Sequence, residues 1–176
     1  MKKRVAVLGA TGSIGKSTID VIRADCGGFE PVLFSANSDA AGLLALATEF
    51  PEAKIAFSGD CGGEALAGLD ETRVYYHREG LLAAINEAGA ALTLNGISGA
   101  AGLEPSIAAL KAGSDLALAN KESMVMAGRL VLETAELYSR TVIPVDSEHS
   151  AIFNLLRGQG GRALDEVLLT ASGGPF

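Results

Sequence analysis

The sequence predicts an α/β protein: an open, mostly parallel sheet with helices on both faces, followed by the start of a second domain. Three observations predict it. Short β-branched runs alternate with helical patterns from residue 4 to residue 146, with connections of only a few residues. The first strand is apolar on both faces, as a strand buried inside a parallel sheet must be. It runs directly into glycines spaced three apart and then a helix, which sets a helix N-terminus beside a strand end.

The elements follow in order. "RVAVLG" (4–9) is the opening strand, and "SIGKSTIDVIRAD" (13–25) is a helix with Ile14, Thr18, Val21 and Ile22 expected on one face. "PVLFSA" (31–36) is a strand, "DAAGLLALATEF" (39–50) a helix and "AKIAFS" (53–58) a third strand. Glycines in "GDCGGEALAGLD" allow at most a short helix, and "RVYY" (73–76) reads as an outer strand. Helices over 78–89, 102–113 and 124–139 alternate with strands over 91–96, 115–120 and 141–146. The pattern changes near residue 147. "SEHSAIFNLLRG" (147–158) reads as a helix capped by Ser147, residues 158–165 as a loop, and "EVLLTAS" (166–172) as one more strand. The expected division is a first domain over 1–147 and the beginning of another over 148–176.

The 176 residues suffice for one ordinary core, and 48% apolar with 20% charged residues is a globular composition. A net charge of −7 argues against a nucleic-acid partner, which needs a basic face. The apolar runs fall short of a membrane span. The N-terminal run breaks at glycines too early for a signal peptide, so a cytoplasmic protein is expected. Cys26 and Cys61 fit no metal or redox spacing and read as two reduced thiols.

"GATGSIGKST" (9–18) allows two kinds of phosphate site. Gly9, Gly12 and Gly15 suit a dinucleotide, whose pyrophosphate approaches backbone N–H groups at a helix N-terminus. Ala10 to Ser17 also approach a P-loop, but the leading glycine is Ala10, and Lys16 reads equally as a solvated helix lysine. For a dinucleotide, the second strand tip carries Ser35, Ala36, Asn37 and Ser38, with no carboxylate to repel a 2′-phosphate. That favours NADP, although no arginine stands there and Asp39 is close.

Two other strand ends carry chemistry. "LALANKES" (116–123) places Asn120, Lys121 and Glu122 where open sheets hold ligands; alternatively Lys121 and Glu122 simply open a helix. "IPVDSEHS" (143–150) sets Asp146 and Glu148 two apart, on one side if the backbone is extended, where both could reach Mg²⁺ or Mn²⁺. The alternative is that Glu148 sits in a helix first turn, favoured by the dipole. His149 reads as structural, and Ser172 in "TASGGPF" could meet phosphate.

"VLGATGSIGKSTIDVI", "LANKES", "PVDSEHSAIFNLL" and "LTASGGPF", in this order, closely resemble the 1-deoxy-D-xylulose 5-phosphate reductoisomerases along the whole chain. The resemblance implies a Rossmann-like NADPH domain and a metal-dependent isomerisation and reduction of a sugar phosphate in non-mevalonate isoprenoid synthesis. It implies that Thr11, Gly12, Ser13 and Ile14 hold the NADPH pyrophosphate and that Asn37, Ser38 and Asp39 face the adenosine ribose. It further implies that Asn120 and Glu122 touch the cofactor, Lys121 the substrate, Asp146 and Glu148 the metal, and Ser147, Glu148 and Ser172 the substrate. Lys121 and Glu148 are then the catalytic candidates. A bacterial homodimer is implied for the family. Family members are much longer, so this chain is expected to bind NADPH but not to turn over alone.

Overall fold

The computed structural model describes residues 2–25, 27–60, 63–158, 166 and 168. Among them, seven strands form one parallel sheet, β1 (Lys3–Leu8), β2 (Phe29–Ala36), β3 (Lys54–Phe57), β4 (Val74–Tyr76), β5 (Leu92–Asn95), β6 (Asp115–Leu118) and β7 (Val142–Pro144), in the order β4-β3-β2-β1-β5-β6-β7. The helices are α1 (Ser13–Ala24), α2 (Ala40–Glu49), α3 (His77–Ala88), α4 (Leu103–Lys111), α5 (Lys121–Leu137) and α6 (Ser147–Gly158). The strand at 73–76 is an edge strand, as its composition predicts. The strand expected over 166–172, Ser172, Cys26 and Cys61 lie outside the described residues, apart from Glu166 and Leu168.

The period of two along each strand divides the core into two layers. Val5, Val7, Phe34, Ile55 and Phe57 face α1 and α2 on one side. Ala6, Leu8, Leu33, Leu116 and Leu118 face α3, α4 and α5 on the other. The chain runs outward from β1 to β4 with helices on the first face. It returns through α3 and continues from β5 to β7 with helices on the second. Crossovers of one hand require that change of face when the strand order reverses. The reversal leaves a crevice between the C-terminal ends of β1 and β5.

The first helix does not bury the face its apolar residues suggest. Gly15, Ile19 and Ile22 are buried, whereas Val21 is 59% exposed and Ile14 38%. The cause is the close approach at Gly15: a Cβ there would lie 2.6 Å from Cα of Ala10. That contact sets the rotation of α1, and the apolar stripe follows it.

Away from the crevice, ion pairs tie neighbouring elements together. Arg23 on α1 donates from Nε to Oε1 of Glu49 on α2 at 2.8 Å and from Nη2 to Oε2 at 2.5 Å. This hydrogen bonding holds the Glu49 carboxyl below the usual carboxylate range. At the β3–β4 edge, Lys54 Nζ meets Tyr75 Oη at 2.5 Å and Glu87 Oε2 at 3.2 Å. Partial burial opposes the charge on Lys54, but these two partners outweigh it and raise its pKa.

Candidate functional site

The glycine turn is held from behind by β2. Gly9 N donates to Ser35 Oγ at 3.2 Å, and Ala10 N donates to Ser35 O at 2.7 Å. Gly9 has φ +74°, in the left-handed region, and a Cβ there would lie 2.9 Å from the backbone of Gly96. The turn can therefore rest directly on the chain leaving β5. Gly12 is the N-cap of α1 and provides no side-chain bond to the first turn. The first-turn amides, at the positive end of a 12-residue helix, are left for water or an anion.

The opposite wall is the segment 96–102 together with the start of α5. Asn120, 2% exposed, is the N-cap of α5, its Oδ1 accepting from Ser123 N at 2.7 Å. Its Nδ2 donates to Ile97 O and to Gly99 O. The helix begins at Lys121, three residues earlier than the apolar period suggests, because Asn120 caps it there. Lys121 and Glu122 are thus exposed first-turn residues at the rim. Between the walls lies a cleft of about 220 Å³, lined by Gly12, Ser13, Ile14, Gly96–Ser98, Ala119–Glu122 and Asp146.

At the far rim, Asp146 precedes α6. Its Oδ1 accepts from His149 N at 2.8 Å, and its Oδ2 pairs with His149 Nδ1 at 2.6 Å. The capping side chain is therefore Asp146 and not Ser147, since the helix starts at Ser147 itself. The extended backbone that would set Asp146 and Glu148 on one side is absent for the same reason: Glu148 lies in the first helical turn. His149 thus meets Asp146 through both its backbone N–H and its ring. Among the described residues no three His, Cys, Asp or Glu side chains come together.

The structure thus gathers Gly12, Ser13, Ile14, Asn120, Lys121, Glu122 and Asp146 around one cleft. Thr11 immediately precedes it. Asn37, Ser38 and Asp39 lie exposed at the end of β2, outside the lining. There Asn37 Oδ1 accepts from Ser58 Oγ at 3.2 Å, and Asp39 caps α2 through Gly42 N at 2.8 Å. Lys16 points to solvent from α1. Sequence reasoning missed Gly96, Ile97 and Ser98. The signal was there, an Asn-Gly turn at the end of an apolar strand, but its place at the strand-order reversal was not visible.

A glycine turn and an uncapped helix N-terminus at the reversal point of a parallel sheet define a dinucleotide-binding type of α/β domain. Residues 5–128 match the family model for 1-deoxy-D-xylulose 5-phosphate reductoisomerase, and residues 142–176 match that for its C-terminal domain. The chain belongs to the 1-deoxy-D-xylulose 5-phosphate reductoisomerase family. The reductoisomerase of Treponema denticola is 41% identical over 175 residues, covering 99% of this chain and 44% of the relative. A reductoisomerase from Zymomonas mobilis, solved in complex with NADPH, superposes with a TM-score of 0.80 at 36% identity, over 88% of this chain and 41% of that one. Another, solved with NADPH, fosmidomycin and magnesium, gives 0.80 at 41% identity, over 86% and 38%. The chain spans under half the length of the relatives it matches. No helix among the described residues is long and apolar enough to cross a membrane.

Proposed function

We propose that residues 1–147 bind NADPH as the coenzyme domain of a bacterial, cytoplasmic 1-deoxy-D-xylulose 5-phosphate reductoisomerase, and that residues 148–176 begin its catalytic domain. The observation that supports this most is the uncapped N-terminus of α1 beneath a glycine turn packed on Gly96. Thr11, Ser13 and Ile14 would present backbone N–H groups to the pyrophosphate, while Gly12, whose own N–H donates to Gly9 O at 3.1 Å, would let it approach. Asn37 and Ser38 would face the adenosine ribose and its phosphate. The commitment of Asp39 to capping α2 fits NADP, because its carboxylate is turned to Gly42 N. Glu122 would border the coenzyme, and Lys121 the substrate.

In this reading the sugar phosphate rearranges to an aldehyde by breaking and re-forming a C–C bond. The aldehyde carbon then takes hydride from NADPH and its oxygen a proton, giving 2-C-methyl-D-erythritol 4-phosphate and NADP⁺. Lys121 would hold substrate charge, and Glu148, with Ser147 and Ser172, would approach its hydroxyls. Mg²⁺ or Mn²⁺, when bound at Asp146 and Glu148, would supply Lewis-acid polarisation. The donor set fits a cation poorly here, since both Asp146 oxygens already serve His149. Weak metal binding and no turnover by this chain alone are expected. Pairing of two copies, as the family resemblance implies, is checked by light scattering.

Thermal melting tests the reading. A ligand at 100 times its Kd adds about 2.7 kcal/mol, which raises Tm by several degrees. NADPH should do this more than NADH, and ATP not at all. Stabilisation by ATP that Lys16→Ala removes, without any NADPH effect, would favour the P-loop instead. Steady loss of NADPH absorbance with substrate and Mg²⁺ would refute the absence of turnover.

A further inference from the structure

Asn95 ends β5 and is fully buried. A side-chain amide has two N–H donors and one carbonyl acceptor. Asn95 uses all of them inside the protein: Nδ2 donates to Gly102 O at 2.7 Å and to Ser106 Oγ at 2.8 Å, and Oδ1 accepts from Ile97 N at 3.0 Å. Asn120 is committed in the same way, its Nδ2 to Ile97 O and Gly99 O and its Oδ1 to Ser123 N. Two asparagines on different elements therefore hold the segment between Gly96 and Gly102 by four backbone groups. They grip Ile97 from both sides, one by its N–H and the other by its C=O. The partners fix both amide orientations, because backbone carbonyls only accept and backbone N–H groups only donate.

We propose that Asn95 and Asn120 form a clamp that sets segment 96–102 as the coenzyme-facing wall, and that Asn95 is a positioning residue that acts on the cleft only through that segment. The inference rests on the NADPH reading of the cleft. Gly96, Ile97, Ser98 and Asn120 line the cleft, Gly96 carries the glycine turn, and Asn95 is not among the lining residues. Residue chemistry supports the assignment. Aspartate or serine would cap α5 as well as asparagine does. Only the amide both caps the helix and donates to two carbonyls.

Three variants of the chain test it. Asn120→Asp keeps the cap acceptor but sets oxygen against the carbonyls of Ile97 and Gly99. Asn120→Ser keeps a capping oxygen without adding charge. Asn95→Ser loosens the same segment from outside the cleft. Amide hydrogen exchange across 96–102 should rise about tenfold or more in each, while α5 exchange is kept in the Asn120 variants. The Kd for NADPH should rise about tenfold in all three. Wild-type exchange across 96–102 in the Asn120 variants would overturn the clamp. Unchanged NADPH binding in Asn95→Ser, with the segment loosened, would overturn the role of the clamp in setting the coenzyme wall. If the unsubstituted chain binds no NADPH, the functional reading fails, and the exchange data still decide the clamp.

Discussion

Two corners of the cleft are built on opposite principles. At the β1–α1 corner the backbone is the functional surface: glycines bring chain onto chain, no side chain caps the helix, and the first-turn amides stay available. At the β7–α6 corner a side chain caps the helix, and that side chain is the candidate ligand, Asp146, already bonded to His149 through both oxygens. The first corner is complete in its local geometry. The second offers one described carboxylate whose bonding must change before a cation can use it. This difference is why coenzyme binding is expected of this chain and firm metal binding is not.

Substitutions at the glycine corner should have the largest effects. Gly15→Val drives a side chain into the backbone of Ala10 and should cost about 3 kcal/mol or more, read as a large fall in Tm. Gly12→Ala meets only Gly9 O, at 3.4 Å, with φ −77°, so stability should change by less than about 1 kcal/mol. On the proposed coenzyme reading its Cβ would stand where the pyrophosphate approaches, so NADPH affinity should fall nonetheless. If Gly15→Val melts like the parent chain, the close backbone approach is not what fixes this corner.

Effects at the other corner should be smaller. Asp146→Ala removes a helix cap and should cost about 1 kcal/mol, with faster amide exchange confined to the start of α6. Titration calorimetry with Mn²⁺ should show no micromolar site in the unsubstituted chain. A micromolar Kd abolished by Asp146→Ala would erase the contrast between the corners.

The smallest expected effect lies behind the glycine corner, where Arg23 and Glu49 join α1 to α2. The Glu49 carboxyl has its pKa lowered from 4.5 by the hydrogen bonds from Arg23. Its stabilisation is present above that ordinary value and is lost as pH falls through the lower, folded value. The pair is exposed by 48% and 39%, so Arg23→Ala should cost under about 1 kcal/mol at neutral pH. Chemical denaturation in acid should show the two proteins converging.

Much of this was legible from residue order. Gly9 to Ile14 were found because a glycine turn between strand and helix is a local pattern, and Asn120 to Glu122 because they follow an apolar strand. Asn95 reads in the sequence only as part of the strand over 91–96. Its partners Gly102 and Ser106 lie 7 and 11 residues away, and nothing local says that the intervening chain turns back on it. Hydrophobic period alone puts Ile14, Thr18, Val21 and Ile22 on one face of α1, whereas contact at Gly15 sets the rotation. Asp146 and Glu148 share a side only on extended backbone, and here Asp146 caps a helix that begins at Ser147.

By itself the sequence determined the alternation of strands and helices, the parallel sheet and the glycine turn, since each depends on neighbours a few residues apart. The tertiary structure alone decided that β5 lies beside β1, that segment 96–102 faces the glycine turn, and that two asparagines hold it there. Those relations depend on strand order, which brings together residues distant along the chain and which no local pattern encodes.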